Sequence, residues 1–120
     1  MPSQTKAVHD WLAAALRLPC YVEGDAPTTA KAPYATHRIP TSSFGDVNSI
    51  EVDVWHIKGH AAEADALCKR LYRALGYGGQ MVICDGGAVL LRRGTPFSQP
   101  VADDKAERRY INVDIEYLTD

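Results

Sequence analysis

Four carboxylates alternate with apolar residues in two separate stretches of the chain. Glu51 and Asp53 lie among Ile50, Val52 and Val54, and Asp114 and Glu116 lie among Ile111, Val113, Ile115 and Tyr117. Carboxylates gathered on one sheet face are the raw material of general acid–base catalysis, provided an apolar pocket holds one of them protonated. Nothing in the pattern supplies such a pocket, so a solvated polar face is favoured, with a small acid–base enzyme or a ligand-binding domain on that face as the alternative. His56 and His60 are four apart, but His56 ends a strand and Gly59 intervenes, so the spacing does not set two ligands on one helical face. No third ligand is evident. His9 and His37 have no partner in sequence and read as a helix-surface and a strand residue.

The remaining chemical signatures are equally bare. Ser42 and Ser43 sit in a polar stretch, outside any Gly-x-Ser-x-Gly elbow. Gly76, Gly78 and Gly79 follow a helical pattern and precede a strand, the reverse of a phosphate cradle, and so predict a helix C-cap. Cys20, Cys68 and Cys84 are odd in number, far apart and embedded in apolar segments, and read as reduced thiols acting as small hydrophobes. Arg92-Arg93 and Arg108-Arg109 lack interleaved aromatics, which favours ion pairing on the surface or between subunits over nucleic-acid binding. No residue is therefore assigned a catalytic, cofactor-binding or metal-binding role.

Composition narrows the classes further. A chain of 120 residues with 46% hydrophobic content suits one domain, 1–120, with one core. The formal charge of -2 offers no global attraction to nucleic acid or anionic lipid. His9 and Asp10 interrupt the apolar pattern near the N-terminus where a signal peptide needs an unbroken run, and the expectation is a cytoplasmic protein without membrane contact.

The elements that position these groups follow from periodicity. Val8, Trp11, Leu12, Ala15 and Leu16 form a helical stripe that Pro19 stops. Short strands are predicted at 19–23 and 33–39, the latter limited in length or placed at an edge by Pro33 and Pro40. Polar loops cover 24–32 and 41–48. After the strand ending at His56, a second helix buries Ala64, Leu67, Cys68, Leu71, Tyr72 and Leu75, with Asp65 and Lys69 paired on its exposed side. Asp85-Gly86-Gly87 joins two runs, 81–84 and 88–91, that are apolar on both faces and read as central or covered strands. The segment 94–107 has no periodicity and reads as the longest loop. The fold class expected is α+β: one mixed, mainly antiparallel sheet packed by two α-helices, with long polar loops.

The order of these elements resembles a known family. A short helix leads into Leu18-Pro19-Cys20-Tyr21-Val22, then Pro33-Tyr34, then Val52-Asp53-Val54-Trp55; a helix, a hairpin and Arg108-Arg109-Tyr110 before a last alternating strand follow. Over nearly its full length the chain resembles the tail terminator, or tail completion, proteins of long-tailed bacteriophages. That resemblance implies a structural protein of the virion tail and neck, assembled in the host cytoplasm. It would form a ring, commonly a homo-hexamer, that caps the head-proximal end of the tail tube. Its partners would be the tail tube protein and the head-completion, or connector, protein, with DNA passing through the channel without specific binding. Related neck components, such as connector stoppers and minor tail proteins, share this size and polarity. The family implies no reaction and no cofactor.

Within that expectation the exposed-looking residues acquire roles. Phe44, a lone aromatic in a polar loop, gains most from burial in another chain. Arg92, Arg93, Phe97, Arg108 and Arg109, in and around 94–107, are candidate contacts with a neighbouring subunit or ring. Glu51, Asp53, Asp114 and Glu116 are candidates for a channel wall that repels phosphate.

Overall fold

The computed structural model describes residues 1–119. Its elements are α1 (Gln4–Leu16), β1 (Cys20–Val22), β2 (Tyr34–Arg38), β3 (Val47–Ile57), α2 (Ala61–Leu75), β4 (Gln80–Cys84), β5 (Gly87–Val101) and β6 (Ala106–Leu118). The strands form one six-stranded sheet in the order β1-β2-β3-β6-β5-β4. Only the β1–β2 pair is parallel. The class is α+β, a mixed and mainly antiparallel sheet with two helices.

Both helices pack on the same face of the sheet. Ser3 caps α1 by accepting from the Lys6 amide, and Ala7, Val8, Leu12 and Leu16 are the buried stripe. The helix ends at Arg17, which takes a left-handed conformation (φ 57°) and donates its amide to the Ala13 carbonyl, two residues before Pro19. α2 buries Ala64, Leu67, Cys68, Leu71 and Leu75. These side chains meet Ile50, Val52 and Val54 of β3, Val89 and Leu91 of β5, and Ile111, Val113, Ile115 and Tyr117 of β6 in one contiguous core. Each of the larger side chains contributes roughly 1.5–3 kcal/mol by leaving water. β6 alternates strictly between fully buried and half-buried positions from Arg108 to Leu118, as a strand covered on one side requires.

Several expectations are corrected. Tyr72 is exposed instead of buried, because it sits at the rim of the α2 stripe, where the Arg93 guanidinium lies 3.4 Å from its ring centroid and Phe97 meets it edge-on. Asp65 pairs with Arg109 of β6 at 2.7 Å and not with Lys69. β2 is not an edge strand; β1 covers it, and the two prolines limit only its length. β4 is neither central nor covered: it is the sheet's other edge, and Met81 and Ile83 are more than half exposed. An apolar run does not distinguish a strand covered on both faces from an edge strand, and here both helices cover the opposite face.

The largest correction concerns 94–107, which is not a loop. β5 continues to Val101 and β6 begins at Ala106, so only 102–105 connect them. A register shift between Arg93 and Ser98 breaks the alternation that would have revealed the strand. Asn112 of β6 spans the irregularity by donating its side-chain amide to the Pro96 carbonyl at 2.8 Å. Gly94 fits there because a Cβ would come within 2.7 Å of Asn112. The turn itself closes on Asp103, whose Oδ1 accepts from the amides of Lys105 and Ala106.

Candidate functional site

The face of the sheet that neither helix covers brings all four sequence-singled carboxylates together. In the β3–β6 register, Glu51 is opposite Asn112, Asp53 opposite Tyr110, Ser49 opposite Asp114 and Val47 opposite Glu116. Directly opposed residues point to the same side, so two distant stretches of sequence supply one carboxylate-bearing surface.

That surface is charge-paired. Arg38 of β2 lies 3.6 Å from Glu51 and 2.8 Å from Glu23. Arg108 lies 3.2 Å from Asp53, which is almost fully buried, and its guanidinium also rests 4.6 Å from the Trp55 ring centroid. Arg92 lies 3.5 Å from Glu116 and opposite Asp114 in register. Trp55 stacks on Tyr34 and donates its indole N–H to the Thr36 hydroxyl at 3.0 Å. Burial, and then the adjacent Glu51 carboxylate, push the Tyr110 phenol above its ordinary range. Arginine–carboxylate pairs on an open sheet fix side-chain positions but leave little free charge.

The two arginine pairs divide between faces, as the twofold period of a strand dictates. Arg108 faces outward, whereas Arg109 is buried and reaches Asp65, Glu107 and the Ala61 carbonyl on α2. The bond to Asp65 is the main reason the Arg109 guanidinium holds its proton more tightly than usual. Glu107 is drawn below the usual carboxylate range chiefly by accepting the Gly59 amide. Phe97 packs against the core. Phe44 is 65% exposed, in the loop between β2 and β3.

The surface hollows are shallow and lie away from the four carboxylates just described. One of about 420 Å³ lies between α2 and β5, lined by Asp65, Cys68, Lys69, Tyr72, Phe97 and Ser98. A second, of about 520 Å³, is bordered by Tyr34, Trp55, Lys58 and Lys105. A third, of about 360 Å³, is walled by Arg17, Lys69, Arg70 and Arg73.

No family model matches the chain, and no curated protein matches it. A solved structure does. At 20% sequence identity it superposes with a TM-score of 0.59, over 96% of this chain and 92% of its own. The likeness is one of fold.

Of two histidine pairs in the structure, the spacing pointed to His56 and His60, whereas His9 and His37 read as unpartnered. His9 Nδ1 and His37 Nε2 are 2.7 Å apart across the α1–β2 contact, and the turn from β3 to α2 stacks His56 on His60 at a 5.3 Å centroid separation. His56 Nδ1 accepts from the Ile57 amide. Among the described residues, no three His, Cys, Asp or Glu side chains converge to hold a metal. The three cysteines are free, and burial pushes the thiols of Cys20 and Cys68 up to about 11, so each stays protonated and unreactive at neutral pH.

Proposed function

We propose that this chain is a non-enzymatic ring protein of the phage tail neck. It caps the head-proximal end of the tail tube, as a homo-hexamer, and joins it to the head-completion protein. The observation that carries this reading is the asymmetric two-layer build: both helices packed on one sheet face, the other bare of helices, with a different free edge on each side, β1 and β4. A unit whose two edges differ suits head-to-tail contacts, and such contacts close into a ring when the rotation per subunit divides a circle. The same element order carries the family resemblance.

In this reading the open face is the candidate for the channel wall. Asp114 carries its least compensated carboxylate charge, and would help to keep passing DNA hydrated and unattached within about 8 Å, the Debye length at physiological salt. A connector stopper or minor tail protein would use the same build. Acid–base catalysis is not part of the reading, because Glu51, Asp53 and Glu116 each face an arginine, none of the four carboxylates lines a hollow described above, and a catalytic carboxylate requires an enclosing pocket.

Electron microscopy of the purified protein, alone and with tail tubes, tests it. Rings with a central hole at tube ends are expected. A chain that stays monomeric and leaves tube ends bare overturns it.

A further inference from the structure

The helix layer carries a charge pattern unlike that of the sheet. On the strands, Arg38, Arg92, Arg108 and Arg109 have carboxylate partners within 4 Å and Arg93 is held by the Tyr72 ring and carbonyl, while on α1 Lys6 pairs with Asp10. Arg17, Lys69, Arg70 and Arg73 have no carboxylate partner among the described residues, yet they wall a single hollow with Ala66. The two acids of the same helix are engaged elsewhere: Asp65, which borders a neighbouring hollow together with Lys69, is held by Arg109, and Glu63, which borders another together with Arg70, faces His60. Four uncompensated cations converge in a chain whose net charge is -2. The fifteen acidic residues therefore outnumber the remaining cations widely, and the rest of the surface is anionic.

The two signs also lie at opposite ends of α1. Arg70 donates to the Leu16 carbonyl at 2.6 Å, which places the cationic hollow at the helix's C-terminal end. At the N-terminal end, the Asp85 amide bonds the Pro2 carbonyl and Gln4 bonds the Ser42 carbonyl. Ser42 in turn holds Asp46. Neither Asp46 nor Asp85 has a cationic partner among the described residues. Thirteen helical residues separate the two ends by about 20 Å.

Resting on the ring reading above, we infer that the Arg17–Lys69–Arg70–Arg73 hollow docks the Asp46–Asp85 end of a second copy of this chain, head to tail. In the ring reading a contact between two different patches is heterologous and repeats from subunit to subunit until the ring closes. An antiparallel twofold pair would satisfy the same charges, and a species that stops at the dimer in sedimentation would overturn the head-to-tail arrangement. The hollow offers no aromatic for stacking a base, which distinguishes it from a single-strand nucleic-acid groove.

The test is a charge swap read by analytical ultracentrifugation at low and high ionic strength. Lys69→Glu/Arg73→Glu reverses two exposed cations and spares Arg70, which bonds α1; Asp85→Lys reverses the other face. Wild type is expected to assemble at low ionic strength and to weaken as salt rises, and each variant to associate about tenfold more weakly or worse. Mixing the two variants restores both kinds of contact and should restore assembly. Lys69→Ala/Arg73→Ala replaces the reversed pair if circular dichroism shows that it fails to fold. Wild-type assembly matched by both variants overturns this docking while leaving the ring intact. A wild-type chain monomeric at every ionic strength overturns both. Saturable duplex-DNA binding by a monomer, lost in the Lys69/Arg73 variant, overturns it by giving the face to nucleic acid.

Discussion

His37 is almost fully buried and its Nε2 meets His9 Nδ1 at 2.7 Å, while its own Nδ1 has no hydrogen-bond partner. The neutral pair satisfies this geometry when Nε2–H of His37 donates to His9 and the orphaned Nδ1 carries only a lone pair. Protonating His37 would bury an N–H with nothing to accept it. Desolvation, and then the neighbouring His9, accordingly hold the His37 pKa below its ordinary value.

Stability should therefore fall on acidification. A base whose folded pKa is depressed binds its proton more readily in the unfolded chain, so its contribution is complete above the unfolded value, about 6.5. It is lost as pH drops from there toward the folded value. Urea midpoints measured from pH 7.5 to 5 should decline, and His37→Gln should flatten that decline. An unchanged slope in His37→Gln would place the acid sensitivity elsewhere.

Arg109 ties β6 to α2 from a buried position, but Asp65 is largely exposed, so the pair is partly screened. Arg109→Met should cost about 1–2 kcal/mol, and Asp65→Asn under about 1 kcal/mol. Chemical denaturation gives both values, and equal costs would contradict the assignment of Arg109 as the buried member.

Gly94→Ala should destabilise by about 1–3 kcal/mol, because the added methyl meets Asn112 backbone and side chain within 2.9 Å. Asn112→Ala, which loses only the bond to Pro96, should cost about 1 kcal/mol. Thermal melts of the two variants separate overpacking from hydrogen-bond loss.

Phe44→Ala should leave the melting temperature nearly unchanged, within about 0.5 kcal/mol, since the ring is 65% exposed. In the proposed role it should reduce the joining of tails to heads in an assembly assay. A marked loss of stability would instead assign the ring to the monomer's own packing.

The two helices and the long alternating strands were legible because each carries an unbroken period: Ala64, Leu67, Cys68, Leu71 and Leu75 for α2, and Ile111, Val113, Ile115 and Tyr117 for β6. The carboxylate surface was legible from the same alternation. Its arginine partners were not, because pairing across strands depends on register, which periodicity leaves open. β5 was hidden by the irregularity between Arg93 and Ser98 together with Pro96 and Pro100, all of which imitate loop chemistry. The His9–His37 contact joins residues 28 positions apart, and the cationic hollow adds the distant Arg17 to Lys69, Arg70 and Arg73 of one helix, so neither contact has a local signature.

The strand order has a consequence for how the protein is made. β6 lies between β3 and β5 and pairs with both along its length, yet it leaves the ribosome after every other strand. Until then the sheet lacks the strand that joins β1, β2 and β3 to the β4–β5 hairpin, the two halves can meet only through the helices, and the core lacks Ile111, Val113, Ile115 and Tyr117. Closure must wait for a contact between residues as distant as Val47 and Glu116, which slows folding. A chain released before β6 is finished would lack the sheet's central pairings, so translation through the last strand acts as a checkpoint on which molecules can enter any assembly.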